Sequence, residues 1–71
     1  MKAGFIGGGK MAEAIIAAVL KSKLLESHEV FASDIDGERR SLLKSRYGIN
    51  AYSKNKIVAS SVDTLFICDH N

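Results

Sequence analysis

Four glycines and a lysine near the start of the chain could bind a phosphate-bearing ligand. In residues 4–15, GFIGGGKMAEAI, an apolar run leads into the glycines and a helix-like pattern follows. Gly4, Gly9 and Lys10 match the first seven positions of the nucleoside-triphosphate loop G-x-x-x-x-G-K. The eighth position holds Met11, whose thioether cannot bind Mg²⁺ as the usual Ser or Thr hydroxyl does. The triphosphate interpretation is therefore disfavoured.

A dinucleotide loop explains the same glycines better. Gly7, Gly9 and Ala12 match G-x-G-x-x-A. The first glycine permits a tight turn, the second lets the backbone approach a pyrophosphate, and the small alanine lets the helix pack on the sheet. The helix N-terminus offers free N–H groups to the phosphates. A glycine-rich turn without a ligand is the alternative, but the pattern lies between a predicted strand and a predicted helix, as the fingerprint requires.

An acidic residue supports the dinucleotide interpretation. Asp34 follows Ala12 by 22 residues, at the end of the second predicted strand, where a carboxylate accepts hydrogen bonds from the adenine ribose of NAD. With Asp36 it would repel a 2′-phosphate, which favours NADH over NADPH. Arg39 and Arg40 could reach a 2′-phosphate, although a solvated helix face is the preferred interpretation for both. Helix capping is the alternative role for Asp34.

The surrounding pattern predicts an α/β fold. Apolar runs predict strands at residues 2–6, 28–33, 49–52 and 64–68. Helical spacing of apolar residues predicts a first helix over 11–21. Asp34 or Asp36 caps the second helix, Gly48 ends it, and Ser53 caps a third helix that runs to Ser60. The β-α-β-α-β-α-β series predicts a partial Rossmann fold with a parallel sheet of order 3-2-1-4.

Composition limits the class of protein. The 71 residues allow one domain, and the formal charge of +2 comes from scattered Lys and Arg, which argues against a nucleic-acid partner. The longest apolar run, residues 14–20, is too short to span a membrane, and the N-terminus lacks a signal-peptide core. One cysteine fits a reducing compartment. We expect a cytoplasmic protein without a membrane partner.

These motifs together resemble the N-terminal part of the pyrroline-5-carboxylate reductase family. The opening MKAGFIGGGKMAEAI is similar to that family's start, where G-F-I-G-x-G-x-M-A is characteristic. Further similarities are ASD after the second strand, RYGI before the third, Asn55 in the third helix, and SVDTLFI leading into the fourth strand. The resemblance covers residues 1–67.

The resemblance implies a cofactor site and a reaction. The loop at the pyrophosphate would consist of Ile6, Gly7, Gly8, Gly9, Lys10 and Met11. Asp34 would lie at the adenosine ribose and Asn55 near the nicotinamide half, and Cys68 is a further cofactor-binding candidate. In the family, hydride passes from NADH or NADPH to the imine carbon of 1-pyrroline-5-carboxylate and gives L-proline.

The chain departs from the family pattern at two positions of the cofactor site. Lys10 stands where the family often has Asn or Gln, and either a charged contact with phosphate or a solvent-facing side chain is possible. Ile35 follows Asp34 where many relatives have an Arg that would meet a 2′-phosphate. The second departure again favours NADH.

The last residues depart more strongly. After Ile67 the family continues A-V-K-P, whereas this chain reads Cys68, Asp69, His70, Asn71. His70 replaces a lysine that touches the cofactor in the family, and the abrupt change suggests a truncation or a frameshift. Cys68 and His70 are too few to predict a metal site.

Three functional hypotheses follow. The family's helical C-terminal domain, which supplies the dimer interface and the substrate pocket, has no counterpart in the chain, so no catalytic residue is assigned. We expect binding of NADH or NADPH without turnover. A structural module that self-associates through the edge strand at 64–68 is an alternative. A third is the N-terminal part of a neighbouring group, such as β-hydroxyacid dehydrogenases or deazaflavin-dependent NADP reductases.

Overall fold

The computed structural model describes residues 1–68, which form one four-stranded sheet and its covering helices. The strands are β1 (Ala3–Ile6), β2 (Val30–Ser33), β3 (Asn50–Tyr52) and β4 (Thr64–Ile67), and the helices are α1 (Lys10–Lys21), α2 (Gly37–Tyr47) and α3 (Asn55–Ser61). All strand pairs are parallel, and the order is β3-β2-β1-β4. The predicted partial Rossmann fold and its strand order are confirmed.

Helices cover both faces of the sheet. Phe5 of β1 is fully buried in a core that also contains Ile16 from α1 and Leu43 from α2. Its neighbour Gly4 faces the other way, because successive residues of a strand alternate between faces. A Cβ at Gly4 would lie 2.7 Å from Cγ1 of Val58 in α3, so this helix packs directly on the backbone of β1.

The termini of α2 follow local capping rules. Asp36, not Asp34, caps the helix, because its Oδ1 accepts the N–H of Glu38 at 2.9 Å. Gly48 ends it with a positive φ of 69°, and its N–H donates to the carbonyl of Lys44 at 2.9 Å. The predicted glycine stop is confirmed, and Asp34 is left for another role.

The predicted start of the second strand and the predicted cap of the third helix are wrong. His28 belongs to a 3₁₀ turn, Ser27–Glu29, rather than to the second strand. This turn is held by a reciprocal capping box between Glu26 and Glu29, so the strand begins at Val30. Ser53 does not cap α3, whose N-cap is Lys54 without a side-chain hydrogen bond.

Asp69 and His70, where the sequence departs from the family pattern, lie outside the described residues, as does the final Asn71. Within residues 1–68, no helix is both long enough and apolar enough to cross a bilayer.

Candidate functional site

An open cleft of about 340 Å³ lies at the carboxyl ends of the parallel strands. It sits where the chain order of the strands reverses, between β1 and β4, the place where open α/β sheets bind ligands. Its lining consists of Ile6, Gly7, Ser33, Asp34, Ile35, Asn55, Ile67 and Cys68.

Gly7 makes the turn out of β1. Its φ is +99°, a conformation that side chains rarely tolerate, and its N–H donates to the carbonyl of Ser33 at 2.8 Å. A Cβ there would lie 2.5 Å from the carbonyl oxygen of Cys68. Both the backbone conformation and the available space therefore require glycine.

Gly8 is held from two sides. Its N–H donates to Oδ2 of Asp34 at 2.9 Å, and its carbonyl accepts Nε of Arg39 at 2.7 Å. A Cβ at Gly8 would approach Cδ1 of Leu43 to 3.0 Å. The middle of the glycine loop is thus fixed by the end of β2 and the first turn of α2.

Asp34 connects the glycine loop to the start of α2. One carboxylate oxygen accepts the N–H of Gly8, and the other accepts the N–H of Asp36 at 2.8 Å. A carboxylate has about four acceptor positions, so further hydrogen bonds can form with a ligand. Because Asp34 also lines the cleft, its carboxylate can accept ribose hydroxyls there.

The N-terminus of α1 carries, beside the loop, N–H groups that the helix itself does not bond. Its N-cap is Gly9, which has no side chain to bond them, and the N–H of Glu13 donates to the carbonyl of Gly9 at 2.9 Å. The N–H groups of residues 10–12 precede that bond, so they have no acceptor within the helix. Together with the helix dipole they form a site suited to phosphate.

The side chains of Lys10 and Met11 lie apart from the cleft. Both are exposed, and Met11 retains 59% of its accessible surface. Lys10 lines a different groove, together with Glu13, Arg46 and other residues of α1 and α2. These two predicted site residues therefore contribute their backbone N–H groups to the loop, but not their side chains.

Arg39 and Arg40 do not form the solvated helix face that the sequence analysis preferred. Besides its bond to the carbonyl of Gly8, Arg39 pairs with Oε1 of Glu13 at 2.8 Å. Arg40 donates through Nη1 to the carbonyls of Asp34 at 2.8 Å and Ile35 at 3.1 Å. Each guanidinium thus packs against the backbone that borders the site.

Glu13 joins α1 to α2 through three partners. Besides Arg39, its Oε2 accepts the hydroxyl of Tyr47 at 2.6 Å and pairs with Arg46 at 2.8 Å. The Tyr47 hydrogen bond first, and then that of Arg39, lower the pKa of Glu13 to about 2. The carboxylate is therefore charged over the physiological range and fixes the arginine that holds the loop.

Sequence reasoning missed Ser33. This side chain is 1% exposed, and its hydroxyl donates to Oδ1 of Asn55 at 2.6 Å. The bond joins the end of β2 to the first residue of α3 within the cleft. Its position directly before Asp34 was the available signal, because residues at the carboxyl end of such strands border the ligand crevice.

The predicted cofactor residues fall into three groups. The cleft brings together Ile6, Gly7, Asp34, Asn55 and Cys68. Gly8 and Gly9 form the adjoining loop, whereas the Lys10 side chain lines another groove and that of Met11 does not line the cleft. Cys68 is buried where it lines the cleft, and this burial raises the pKa of its thiol.

Comparison with known proteins identifies relatives of this chain. A family model described as coenzyme F420-dependent NADP oxidoreductase matches residues 2–70. The chain belongs to this family. A pyrroline-5-carboxylate reductase from Synechocystis sp. (strain ATCC 27184 / PCC 6803 / Kazusa) is 33% identical over 64 residues, which are 90% of this chain and 24% of that protein. The resemblance seen in the sequence is confirmed, and the chain spans about a quarter of the length of this curated relative.

Proposed function

We propose that residues 1–68 hold NADH or NADPH as the cofactor-binding part of a pyrroline-5-carboxylate reductase. The observation that carries this proposal is the glycine turn itself. Gly7 has no room for a side chain, Gly8 has little, and beside them lie the open N-terminus of α1 and the carboxylate of Asp34. The family and the Synechocystis relative support the same assignment.

Each part of the site has a distinct role in this proposal. When bound, the cofactor supplies a hydride, which in reductases of this kind goes to the imine carbon of 1-pyrroline-5-carboxylate. The N-terminal amides of α1 bind the pyrophosphate, Asp34 accepts the ribose hydroxyls, and Asn55 donates near the nicotinamide half. We assign no proton donor among residues 1–68 and expect binding without turnover. The family description names coenzyme F420, which is a deazaflavin. A deazaflavin is therefore the alternative compound with which the nicotinamide would exchange the hydride.

We further propose that NADH binds more tightly than NADPH. The Asp34 carboxylate lies in the cleft, where it would repel a 2′-phosphate. The aliphatic Ile35 follows it and is 91% exposed, so it offers such a phosphate no positive charge. Arg39 already pairs with Glu13, and Arg40 already bonds two backbone carbonyls, which reduces what either can give to a phosphate.

Cofactor fluorescence titrations test both statements. We expect a saturable change with NADH, a weaker one with NADPH, and competition by adenosine diphosphoribose, which contains the adenosine and pyrophosphate but no nicotinamide. ATP should compete poorly, because the loop lacks the hydroxyl that would hold Mg²⁺. No saturable change up to millimolar NADH or NADPH would refute the binding proposal, and tighter binding of NADPH would refute the preference.

Self-association is a second candidate, favoured by the exposure of β4. Among residues 1–68, β4 has one hydrogen-bonded neighbour, β1, and its outer edge is open. Leu65, Phe66 and Ile67 expose 41%, 42% and 78% of their surface. An open edge with apolar side chains recruits further strands. This candidate is compatible with cofactor binding.

A further inference from the structure

We infer that Ser33 is a positioning residue that sets the orientation of the Asn55 side-chain amide in the cleft. The inference rests on the proposed cofactor site and adds a residue that the cofactor does not need to touch. Asn55 is exposed at the start of α3, whereas Ser33 is buried beneath it at the end of β2. A single hydrogen bond of 2.6 Å joins the two side chains.

The chemistry of this bond makes it directional. A serine hydroxyl has one proton to donate, and an asparagine amide carries an acceptor oxygen on one side and two N–H donors on the other. Because the Ser33 hydroxyl donates to Oδ1 of Asn55, Nδ2 is the end left for the cleft. The cleft therefore presents donors, which suit the hydroxyl, carboxamide and phosphate oxygens of a dinucleotide.

The reversed amide is disfavoured by the buried hydroxyl. If Nδ2 donated to Ser33, the hydroxyl proton would have to find another acceptor, because the one it uses within residues 1–68 is Oδ1 of Asn55. A buried donor without a partner is unfavourable enough to shift an equilibrium by about tenfold or more. Loss of the hydroxyl removes this bias and lets both orientations form.

The pair also couples to the glycine loop. The backbone carbonyl of Ser33 accepts the N–H of Gly7, while the side chain of the same residue holds Asn55. Ser33 thus connects the proposed pyrophosphate turn to the proposed nicotinamide-side donor. A change at its hydroxyl alters only the second connection, because the first uses the backbone.

Amide NMR on the ¹⁵N-labelled 71-residue chain tests the positioning without cofactor. In the wild type we expect the Asn55 side-chain amide to be ordered, and Ser33→Ala to lower its order parameter from about 0.8 to below about 0.6. Ser33→Cys keeps the shape of the side chain with a slightly larger atom but donates weakly, so it should behave like alanine. Asn50 is an internal control, because its Nδ2 donates to the carbonyls of His28 and Val30 and should not change.

A double-mutant cycle with NADH tests the consequence. We expect Asn55→Ala to weaken binding about tenfold and Ser33→Ala about threefold to tenfold. In the Asn55→Ala background, Ser33→Ala should change affinity by less than about twofold, because the residue acts through the amide. Asn55→Asp keeps an acceptor for the hydroxyl but places an oxygen in the cleft, so it should bind NADH no better than Asn55→Ala.

The outcomes separate the inference from the function on which it rests. If wild-type chain binds NADH but Ser33→Ala leaves the Asn55 amide equally ordered, the inference alone is overturned. The same holds if Ser33→Ala weakens binding equally with and without Asn55. If the wild type binds neither NADH nor NADPH, the proposed function fails, and the inferred role in cofactor binding fails with it.

Discussion

At the scale of single residues, Gly7 is the position where substitution should be least tolerated. An alanine would have to adopt a φ of 99° and would bring its Cβ to 2.5 Å from the carbonyl oxygen of Cys68. We expect Gly7→Ala to lower the free energy of unfolding by about 2 kcal/mol or more, because backbone strain and a clash with main chain act together. Urea denaturation monitored by circular dichroism measures the difference.

Gly37→Ala is the matched control for that substitution. Gly37 begins α2, has no positive φ, and leaves 3.5 Å between a built Cβ and the nearest atom, Nη2 of Arg40. Alanine favours helix over glycine by up to about 1 kcal/mol, so this variant should be neutral or more stable. Equal losses in both variants would contradict the specific requirement for glycine at position 7.

Asp34 should determine cofactor preference. In Asp34→Asn the charge that opposes a 2′-phosphate is lost, while one oxygen remains to accept the Gly8 N–H. We expect the ratio of the NADPH to the NADH dissociation constant to fall about tenfold, measured by fluorescence titration. Glu38→Gln removes the same charge from an exposed position of α2 outside the cleft and should leave the ratio unchanged. An unchanged ratio in Asp34→Asn would contradict the assignment.

At the scale of elements, the Glu13 carboxylate joins α1, α2 and the glycine loop. Its pKa is lowered to about 2 from an ordinary value near 4.5, first by the Tyr47 hydrogen bond. A depressed pKa contributes stability above the unfolded value, and this contribution is lost as the pH falls from about 4.5 towards 2. Glu13→Gln should therefore lower the free energy of unfolding by about 1–2 kcal/mol at pH 7.

The pH dependence distinguishes this effect from simple loss of packing. Denaturant unfolding between pH 3 and pH 7 should show the wild-type and Glu13→Gln stabilities converging as the pH falls below about 4.5. Glu38→Gln, an exposed substitution in the first turn of α2, should follow the wild-type curve. A constant gap between wild type and Glu13→Gln across the range would mean that the carboxylate charge is not what stabilises the pair of helices.

The elements themselves were predictable because their signals are local. Apolar periodicity and the glycines at positions 7 and 48 predicted the strand and helix order. The Ser33–Asn55 bond and the contacts of Glu13 with α2 were not predictable, because each joins residues that are more than 20 positions apart. Whether such side chains meet depends on strand register and helix packing, which no local pattern specifies.

At the scale of the whole molecule, the outer edge of β4 is the feature most open to further contact. In the part of the chain that the structure describes, this strand pairs only with β1, and Leu65 is 41% exposed on it. We expect the isolated 71-residue chain to self-associate as its concentration rises, because a parallel strand with an open apolar edge pairs with other strands. Sedimentation velocity over a concentration series measures this.

Leu65→Lys should reduce the association, because a charged side chain on an edge strand opposes pairing. Leu24→Lys is the matched control: it makes the same chemical change at a side chain that is 74% exposed, after α1 and outside β4. If both variants dissociate equally, general surface hydrophobicity rather than the β4 edge drives association. A wild-type chain that sediments as a monomer at the highest concentration would contradict self-association outright. Because Leu65 does not line the cleft, NADH affinity should be the same in Leu65→Lys and wild type, which separates the edge from the cofactor site.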